Sequence, residues 1–248
     1  MPKRTYIRFV ETDSTNNELK KMIYASKYPV GTVVSADRQL NGKGRLGRSF
    51  ISPLGGVYFS ASYPLKKDAG NIPFITLSAG LAVSDVIEQM SGCPTHIKWP
   101  NDIYISDRKV CGILTELVSV GDSLTAVVGI GINNAHINPD DPALVQKITS
   151  LHDEGIFIDS EELIRKIVAR LDRLIYEKNV LSYVTDDILI KLNNRSYLFG
   201  KNVEFTHNGV LKSGTAGKTR ADGALEIIMP GEENIFVKFG EVSIKNVE

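Results

Sequence analysis

Short apolar-rich segments bounded by turn-forming residues, a pattern typical of β-strands, recur along the chain. The strands predicted from this pattern cover residues 5–11, 32–38, 56–63, 95–106, 109–119 and 123–133. Turn-forming pairs at Asp107-Arg108 and Gly121-Asp122 separate the last three, which therefore form hairpins in an at least partly antiparallel sheet. A loop is predicted at Asn138–Pro142.

Four other segments are predicted to be helices. Apolar residues recur at helical spacing from Pro73 to Met90, with a proline near the start, and along one face of residues 159–179. A further helix is predicted at about 181–193. The first helix begins at Thr15, where Thr15 and Glu18 have the spacing of a capping box.

The pattern changes near the C-terminus. Residues 202–245 contain short strand-like segments broken by the pairs Asn208-Gly209, Asp222-Gly223 and Pro230-Gly231. Closely spaced strands and turns of this kind predict a small all-β module, barrel-like in form. We expect two domains, residues 1–197 and 198–248, packed against each other because no proline- or serine-rich linker separates them.

Composition narrows the possible functions. The chain has 248 residues, 42% of them hydrophobic, which is enough for a substantial core. Basic and acidic residues balance at 29 each, so any electrostatic attraction of an anionic partner must be local. Two cysteines cannot build a disulfide framework, and the sequence has neither an apolar signal core nor an 18-residue apolar run. These features predict a cytoplasmic protein with no membrane partner.

The stretch NGKGRLGRSF, Asn41–Phe50, interleaves three glycines with three cations and is named the cationic loop below. Glycines let backbone N–H groups approach an anion closely, and Lys43, Arg45 and Arg48 add positive charge. A solvated basic loop is the alternative, but such a loop has no need of interleaved glycines. We interpret the segment as an anion-binding loop.

The stretch KWPNDIYISDRKVCGI contains the only tryptophan, Trp99. Pro100 interrupts the predicted strand, and Asn101-Asp102 follow at the interruption. The next hairpin would bring Lys109 to the same edge as Asn101, with Gly112 three residues further on. A purely structural hairpin, with a buried tryptophan and an exposed lysine, explains the same residues, so they leave both interpretations open.

Two other stretches carry weaker signals. DSTN, Asp13–Asn16, lies where a strand meets a helix N-terminus, a place that can bind polar or anionic groups, but capping alone would also explain Thr15. VVGIGINNA, residues 127–135, alternates glycines within an apolar strand, which favours close approach of a backbone or a flat ligand. KSGTAGKT, residues 212–219, lacks the first glycine of a P-loop, and the four histidines have no zinc-site spacing.

Taken in order, these four stretches resemble the biotin protein ligases, which activate biotin as biotinyl-adenylate and attach it to a carboxylase carrier protein. DSTN resembles the family's Ser-Thr-Asn element, and ADRQLNGKGRLGRSF its Gln-x-x-Gly-Arg-Gly-Arg-x-Gly-Arg-x-Trp loop. KWPND and DRKVCGIL resemble its Lys-Trp-Pro-Asn-Asp and Lys-x-x-Gly-Ile pair, and GIGIN also matches. Lys43 stands where arginine is usual, and Phe50 where tryptophan is common.

The resemblance implies an α+β fold, a mixed β-sheet flanked by helices as in class II aminoacyl-tRNA synthetases, with a small C-terminal SH3-like β-barrel. It implies ATP-dependent formation of biotinyl-5′-AMP and transfer of biotin to a lysine of a biotin carboxyl carrier protein. ATP and Mg²⁺ are the expected cofactors, without an identified protein ligand for the metal, and a homodimer is expected. Long forms carry an N-terminal helix-turn-helix, whereas this chain begins at the catalytic strand, so neither repression nor nucleic-acid binding is expected.

The resemblance also implies site residues, with Lys109 and Arg45 as the catalytic pair. The expected biotin-binding residues are Ser14, Thr15, Asn16, Gln39, Gly42, Lys43, Gly44, Arg45, Lys109 and Gly112. The expected ATP- and adenylate-binding residues are Lys43, Arg45, Arg48, Phe50, Trp99, Asn101 and Asn133. Two alternatives remain open at this point: a biotin sensor that does not transfer biotin, and a lipoate-type ligase.

Overall fold

The computed structural model describes residues 3–26, 29, 31–65, 73–136, 147–182, 184–238 and 240–245. These residues form a seven-stranded mixed sheet flanked by helices, followed by a second, smaller sheet. The predicted mixed sheet with flanking helices is therefore confirmed. The loop predicted at Asn138–Pro142 lies outside the described residues.

The larger sheet has the strand order β1-β2-β3-β7-β6-β5-β4, in which only the β1–β2 pair is parallel. Its strands are β1 (Thr5–Thr12), β2 (Thr32–Gln39), β3 (Val57–Leu65), β4 (His96–Lys98), β5 (Asp102–Ile105), β6 (Arg108–Val120) and β7 (Ser123–Ile132). The helices are α1 (Thr15–Tyr24), α2 (Pro73–Ser91), α3 (Ser160–Asp172), which a π-helical turn continues over Arg173–Glu177, and α4 (Asp186–Asn194).

The strands of this sheet bury apolar side chains on both faces. Val33 of β2 belongs to the main core under α2 and α3, whereas its neighbour Val34 belongs to a smaller cluster with Leu19 of α1. Because successive side chains of a strand point to opposite faces of the sheet, these two consecutive valines pack into different cores. α1 thus covers one face of the sheet, and α2 and α3 cover the other. No helix of the described residues is long and apolar enough to cross a membrane.

The prediction of one strand over residues 95–106 is wrong, because the chain reverses at the cis Trp99-Pro100 bond and β4 pairs with β5. Pro100 has no N–H to offer a ladder, and the Asn101 N–H bonds back to the carbonyl of Lys98 at 3.1 Å. The predicted turn at Asp107-Arg108 lies one residue earlier, since Ser106 and Asp107 have positive φ and Arg108 begins β6.

Helix boundaries differ from the predictions in two places. The capping box at α1 is wrong: Ser14 is the cap residue without a side-chain cap bond, and the Glu18 carboxylate accepts from Lys21 instead. The Thr15 N–H donates to Gln39 Oε1 at 2.9 Å, so a side chain of β2 caps this end of the helix. The helix predicted at 181–193 begins only at Asp186.

The C-terminal module is an antiparallel sheet in the order β11-β10-β9-β8-β12. Its strands are β8 (Asn202–His207), β9 (Val210–Thr219), β10 (Leu225–Ile228), β11 (Ile235–Val237) and β12 (Val242–Ile244). The predicted all-β module is confirmed as a second sheet, but it is not a closed barrel, because the edge strands β11 and β12 do not pair with each other in the described residues. Each of these two strands has only three residues, so a ladder that closed the barrel between them would be short.

The two sheets share one core, as expected for modules without a linker. The Trp99 indole N–H donates to the carbonyl of Gly223 in the C-terminal module at 3.0 Å. The Asn193 side-chain amide exchanges two hydrogen bonds with the backbone of Thr219, at 3.0 and 2.7 Å. The division of the chain at residues 197 and 198 stays a prediction.

One buried ion pair ties the first strand to α3. The Arg4 guanidinium binds both carboxylate oxygens of Asp172 and donates to the carbonyl of Ser62 at 3.0 Å. The Arg4 side chain is 7% exposed and that of Asp172 5%. Two charges so far from water depend on each other, because removing one leaves the other without compensation.

We predict that Asp172→Asn lowers the free energy of unfolding by about 3–5 kcal/mol, the usual cost of breaking a buried pair. Chemical denaturation of the parent and variant proteins measures this difference. Glu18→Gln is the matched control, since its partner Lys21 is largely exposed and the change should cost no more than about 1 kcal/mol. Equal losses in the two variants would contradict the prediction.

Candidate active site

A cavity of about 130 Å³ opens where the N-terminus of α1, the cationic loop and strands β5, β6 and β7 meet. Most of the residues predicted to bind ligand line it: Ser14, Thr15, Asn16, Gln39, Lys43, Gly44, Arg45, Arg48, Phe50, Asn101, Lys109 and Gly112. Gly129 and Gly131, the alternating glycines predicted to allow close approach, also line it, whereas Asp102 and Glu241 were not predicted.

The polar end of the cavity lies at the N-terminus of α1, where Ser14, Thr15 and Asn16 are all buried. Gln39, the last residue of β2, accepts from the Thr15 N–H through Oε1 and donates through Nε2 to Ser52 Oγ at 2.9 Å. The Ser52 hydroxyl in turn donates to the carbonyl of Phe50 at 2.9 Å. Hydrogen bonds therefore join the helix N-terminus to the end of the cationic loop.

The floor of the cavity is backbone rather than side chains. A Cβ at Gly129 would lie 2.2 Å from Asn16 Oδ1, and one at Gly131 would lie 2.5 Å from the Phe50 ring. Gly112 meets the same ring at 3.0 Å. The alternating glycines therefore allow close approach to the strand, as predicted. In this structure the groups that approach are the side chains of Asn16 and Phe50.

The cationic loop folds back on itself through hydrogen bonds from Gly44 N–H to the Arg48 carbonyl (2.7 Å) and from Phe50 N–H to the Gly42 carbonyl (2.8 Å). At its tip Leu46 has φ 55°, a left-handed conformation that costs a non-glycine residue about 1–2 kcal/mol. Leu46 is also 71% exposed, so contacts elsewhere in the loop must hold this conformation.

Two arginines of the loop attach it to the rest of the molecule. Arg45 donates to Asn101 Oδ1 and to the carbonyl of Gly240, each at 3.0 Å. Arg48 forms an ion pair with Glu241 at 2.6 Å. Burial lowers the pKa of Arg45, and the charges of Asp102 and Glu241 oppose that effect. The C-terminal module therefore contributes to the cavity wall, which nothing in the sequence indicated.

Lys109 pairs with a carboxylate beside the cavity. Its Nζ lies 2.8 Å from Asp102 Oδ1. Asp102 directly follows the predicted site residue Asn101 in the sequence. It was not predicted as a site residue because Asn101-Asp102 looked like an ordinary turn. Asp102 Oδ1 is buried and has no well-aligned hydrogen-bond donor, so it can still accept one or contact a cation.

Three predicted residues do not line the cavity. Trp99 is buried against the C-terminal module, and Asn133 donates from Nδ2 to the carbonyl of Thr149 at 2.9 Å. Gly42 belongs to the cationic loop but does not line the cavity, and a Cβ there would come within 2.3 Å of the Phe50 carbonyl oxygen. These contacts are structural, and the nucleotide-binding roles of Trp99 and Asn133 stay predictions.

The size and chemistry of the cavity limit what it can hold. Its volume is below the roughly 300–1,000 Å³ of typical small-molecule sites, because Phe50 and the loop occupy part of the space. A larger ligand therefore requires the loop to move. The described residues contain no group of three or more histidine, cysteine, aspartate or glutamate side chains placed to hold a metal ion.

Comparison with known proteins places the chain among ligases. The model of the biotin/lipoate A/B protein ligase family matches residues 7–133. The bifunctional ligase/repressor BirA of Bacillus subtilis is 38% identical over 198 residues, covering 76% of this chain and 57% of that protein. The biotin–[acetyl-CoA-carboxylase] ligase of Paracoccus denitrificans is 35% identical over 162 residues, covering 62% and 65%.

A solved structure resembles the whole chain. The biotin protein ligase from Aquifex aeolicus in complex with biotin and ATP superposes with a TM-score of 0.81 and 28% identity, covering 100% of both chains. The chain nevertheless spans only about half the length of the bifunctional relatives that it matches.

We predict that Gly129→Ala lowers the free energy of unfolding by about 1–3 kcal/mol, because the added methyl group would displace the Asn16 amide from the sheet. Gly80→Ala in α2 is the matched control: its Cβ would meet only ordinary contacts at 3.5 Å or more, and alanine favours helix. Denaturant titration compares the two variants. A Gly129→Ala protein as stable as the parent would show that Asn16 can move without cost.

Proposed function

The chain belongs to the biotin/lipoate A/B protein ligase family, and from this premise we propose that it is a biotin protein ligase. In the first step the biotin carboxylate attacks the α-phosphorus of ATP, giving biotinyl-5′-AMP and pyrophosphate. In the second, a lysine amine of a biotin carboxyl carrier protein attacks the anhydride carbonyl, and AMP leaves. The observation that carries the proposal is one cavity with neutral hydrogen-bonding groups at one end and cations at the other.

The neutral end suits the ureido ring of biotin. The buried Ser14 and Thr15 supply hydroxyl groups, and the partly buried Gln39 supplies an amide. Buried polar groups without partners are costly, so such a pocket favours a ligand whose ring both donates and accepts. Lipoate has no N–H donor in its ring and would leave these groups without partners, which favours biotin over lipoate.

The cationic end suits the reacting groups. A carboxylate and an α-phosphate repel each other, and negative charge grows on the phosphate oxygens as the new bond forms. Lys109 and Arg45 line the same cavity and would stabilise that charge, the form of catalysis that commonly contributes most. Asn101 accepts from Arg45 and would hold its guanidinium in place.

Magnesium fits the site through one residue. Mg²⁺ normally takes one or two protein carboxylates and completes its octahedron with water and substrate phosphates. Asp102 would hold it, because its carboxylate lines the cavity together with the cations that would face the phosphates. Its Oδ1 lies 2.8 Å from Lys109 Nζ, so the ion and Lys109 would share this carboxylate. When bound, the ion would neutralise part of the phosphate charge. Lys109 and Arg45 would position the α-phosphate.

The cationic loop would act as a lid. Its arginines contact Asn101 and the C-terminal module, and these contacts would hold the loop over a bound ligand and keep water out. Exclusion of water matters because a mixed anhydride hydrolyses readily. A homodimer, a cytoplasmic location, the absence of a nucleic-acid partner and the SH3-like character of the C-terminal module stay predictions.

Biotin-dependent exchange of pyrophosphate into ATP tests the proposed function. We expect exchange with biotin and little or none with lipoate, followed by transfer of biotin to a carrier domain. Biotin binding without exchange would instead identify a sensor, and faster exchange with lipoate would identify a lipoate-type ligase.

We predict that Lys109→Ala slows adenylation far more than it weakens biotin binding. Loss of one group that stabilises transition-state charge typically costs about 3–4 kcal/mol, or a 10²–10³-fold decrease in rate. Single-turnover formation of biotinyl-5′-AMP measures the rate, and calorimetry measures the affinity for biotin. Arg108→Ala is the control, because Arg108 pairs with Glu154 outside the cavity. Unchanged adenylation in Lys109→Ala would remove Lys109 from the mechanism.

We predict that Lys43→Gly still forms biotinyl-5′-AMP but releases it faster. Lys43 keeps the charge of the usual arginine without its planar fork, and its Nζ donates to Asn17 Oδ1 of α1 at 3.2 Å. Glycine would remove that contact and raise the entropy cost of ordering the loop.

The adenylate off-rate of the parent and the Lys43→Gly variant is the measurement, with labelling of an unrelated protein as the second readout. Arg38→Ala serves as the control because Arg38 pairs with Glu11 outside the cavity. Equal off-rates without stray labelling would mean that the loop does not retain the intermediate.

A further inference from the structure

Lys98, the last residue of β4, is a cation beside the cavity that neither the sequence pattern nor the proposed mechanism gives a role. It is partly buried and does not line the cavity itself. Among the residues that the structure describes, its side chain forms neither an ion pair nor a hydrogen bond, and its recorded contact is with an aromatic ring. Such a cation can accept an anionic ligand without first leaving a partner.

Lys98 belongs to a row of paired residues that crosses the floor of the cavity. It pairs with Asp102 of β5, which pairs with Gly112 of β6, which pairs with Gly131 of β7. Directly paired residues of antiparallel strands project their side chains on the same face. Asp102, Gly112 and Gly131 line the cavity, so Lys98 lies on the cavity's face of the sheet, one strand spacing of about 4.8 Å beyond Asp102.

An aromatic stack supports the Lys98 side chain. Its Nζ lies 5.6 Å from the centre of the Tyr104 ring, within the range of a cation–π contact. Tyr104 is two residues after Asp102 on β5, and its ring stacks on that of Tyr197 with centroids 4.4 Å apart. A ring attracts the ammonium group without neutralising it, so the charge of Lys98 stays available to a ligand.

The charges around Lys98 leave it as the uncompensated member of the group. Burial lowers the pKa of Lys98, and the charges of Lys109 and Arg48 act in the same direction, whereas Asp102 and Glu241 oppose them. Both carboxylates already have partners, since Asp102 pairs with Lys109 and Glu241 with Arg48. An anion that reached Lys98 would therefore relieve a charge that the protein itself leaves unbalanced.

The geometry of phosphoryl transfer places Lys98 on the side of the leaving group. The attacking and leaving oxygens lie roughly in line on opposite sides of the phosphorus. In the proposed function biotin lies at the α1 end, and α1 packs over β2, β3, β6 and β7. The biotin carboxylate would thus approach the α-phosphate from the β7 side, and the leaving oxygen would point toward β5 and β4. Lys98 lies at that end of the row.

We propose that Lys98 binds the pyrophosphate half of ATP, holding the β- and γ-phosphates before the reaction and the pyrophosphate as it leaves. A bond forms between a biotin carboxylate oxygen and the α-phosphorus, and the bond from that phosphorus to the bridging oxygen of the β-phosphate breaks. The electron pair leaves with the bridging oxygen, so negative charge grows on pyrophosphate, and no proton has to move. This assignment rests on the proposed function, because it names a residue for the leaving group of that reaction.

The experiment compares Lys98→Met and Lys98→Arg with the parent protein. In the exchange reaction at saturating biotin, Lys98→Met should raise the KM for pyrophosphate and the KM for ATP by about tenfold to a hundredfold, the usual effect of losing one charged hydrogen bond. Lys98→Arg keeps the charge and should recover most of the loss. The biotin Kd, measured by calorimetry, should stay close to the parent value.

Two further readouts separate pyrophosphate from the rest of the nucleotide. Transfer of biotin from preformed biotinyl-5′-AMP to a carrier domain involves no pyrophosphate, so its rate should be unchanged in Lys98→Met. In calorimetry, the variant should lose affinity for α,β-methylene ATP but not for AMP. The ratio of these two affinities is taken within each protein, so a general loss of stability does not alter it.

Lys201→Met is the matched control. Lys201 Nζ lies 3.6 Å from the centre of the Tyr197 ring, so this substitution removes the same charge from the other ring of the stack, and Lys201 does not line the cavity. Its KM values for pyrophosphate and ATP should match those of the parent.

A parent-like KM for pyrophosphate in Lys98→Met would overturn the role of Lys98. An equal loss of affinity for AMP, or an equal slowing of transfer from preformed biotinyl-5′-AMP, would also overturn it, because Lys98 would then act on a different part of the reaction. Absence of biotin-dependent exchange in the parent protein would instead overturn the proposed function.

Discussion

The site depends on the bare backbone of β7. Gly129 and Gly131 present no side chains toward α1 and the cationic loop, so the Asn16 amide and the Phe50 ring lie directly on the sheet. Any side chain at these positions would push both away, and the helix N-terminus and the loop would no longer enclose one cavity. The hydrogen bonds from Thr15 to Gln39, from Gln39 to Ser52 and from Ser52 to Phe50 then join these two walls.

Three cations that line the cavity have their own partners within the structure. Arg48 pairs with Glu241 and Lys109 with Asp102, and the half-buried Arg45 donates to two neutral oxygens, of Asn101 and Gly240. These partners offset the mutual repulsion of the cations, so the loop can close before an anion binds. Two of the contacts come from Gly240 and Glu241, which makes closure of the loop dependent on the C-terminal module.

Local patterns predicted the larger sheet well, because strand and helix periods and glycine-containing turns are properties of neighbouring residues. They failed where distant residues decide the outcome. Thr15 looked like a cap, but Gln39 of β2 binds its N–H, and Lys109 meets Asp102 because β5 folds back against β6. Trp99 carried a binding motif, yet the Gly223 carbonyl, more than a hundred residues away, holds its indole. Family resemblance located most of the lining residues, but it gave no sign of Glu241.

The two ends of the cavity have different linings. At the α1 end Ser14, Thr15 and Asn16 supply hydroxyl and amide groups, and the nearby Glu116 carboxylate, which does not line the cavity, accepts from Asn16 and from Lys20. At the other end Lys109 and Arg45 line the cavity itself, where a ligand charge would meet them directly. Glu116 and Lys109 lie seven residues apart on β6, so the length of one strand separates the paired carboxylate from the cation that lines the cavity.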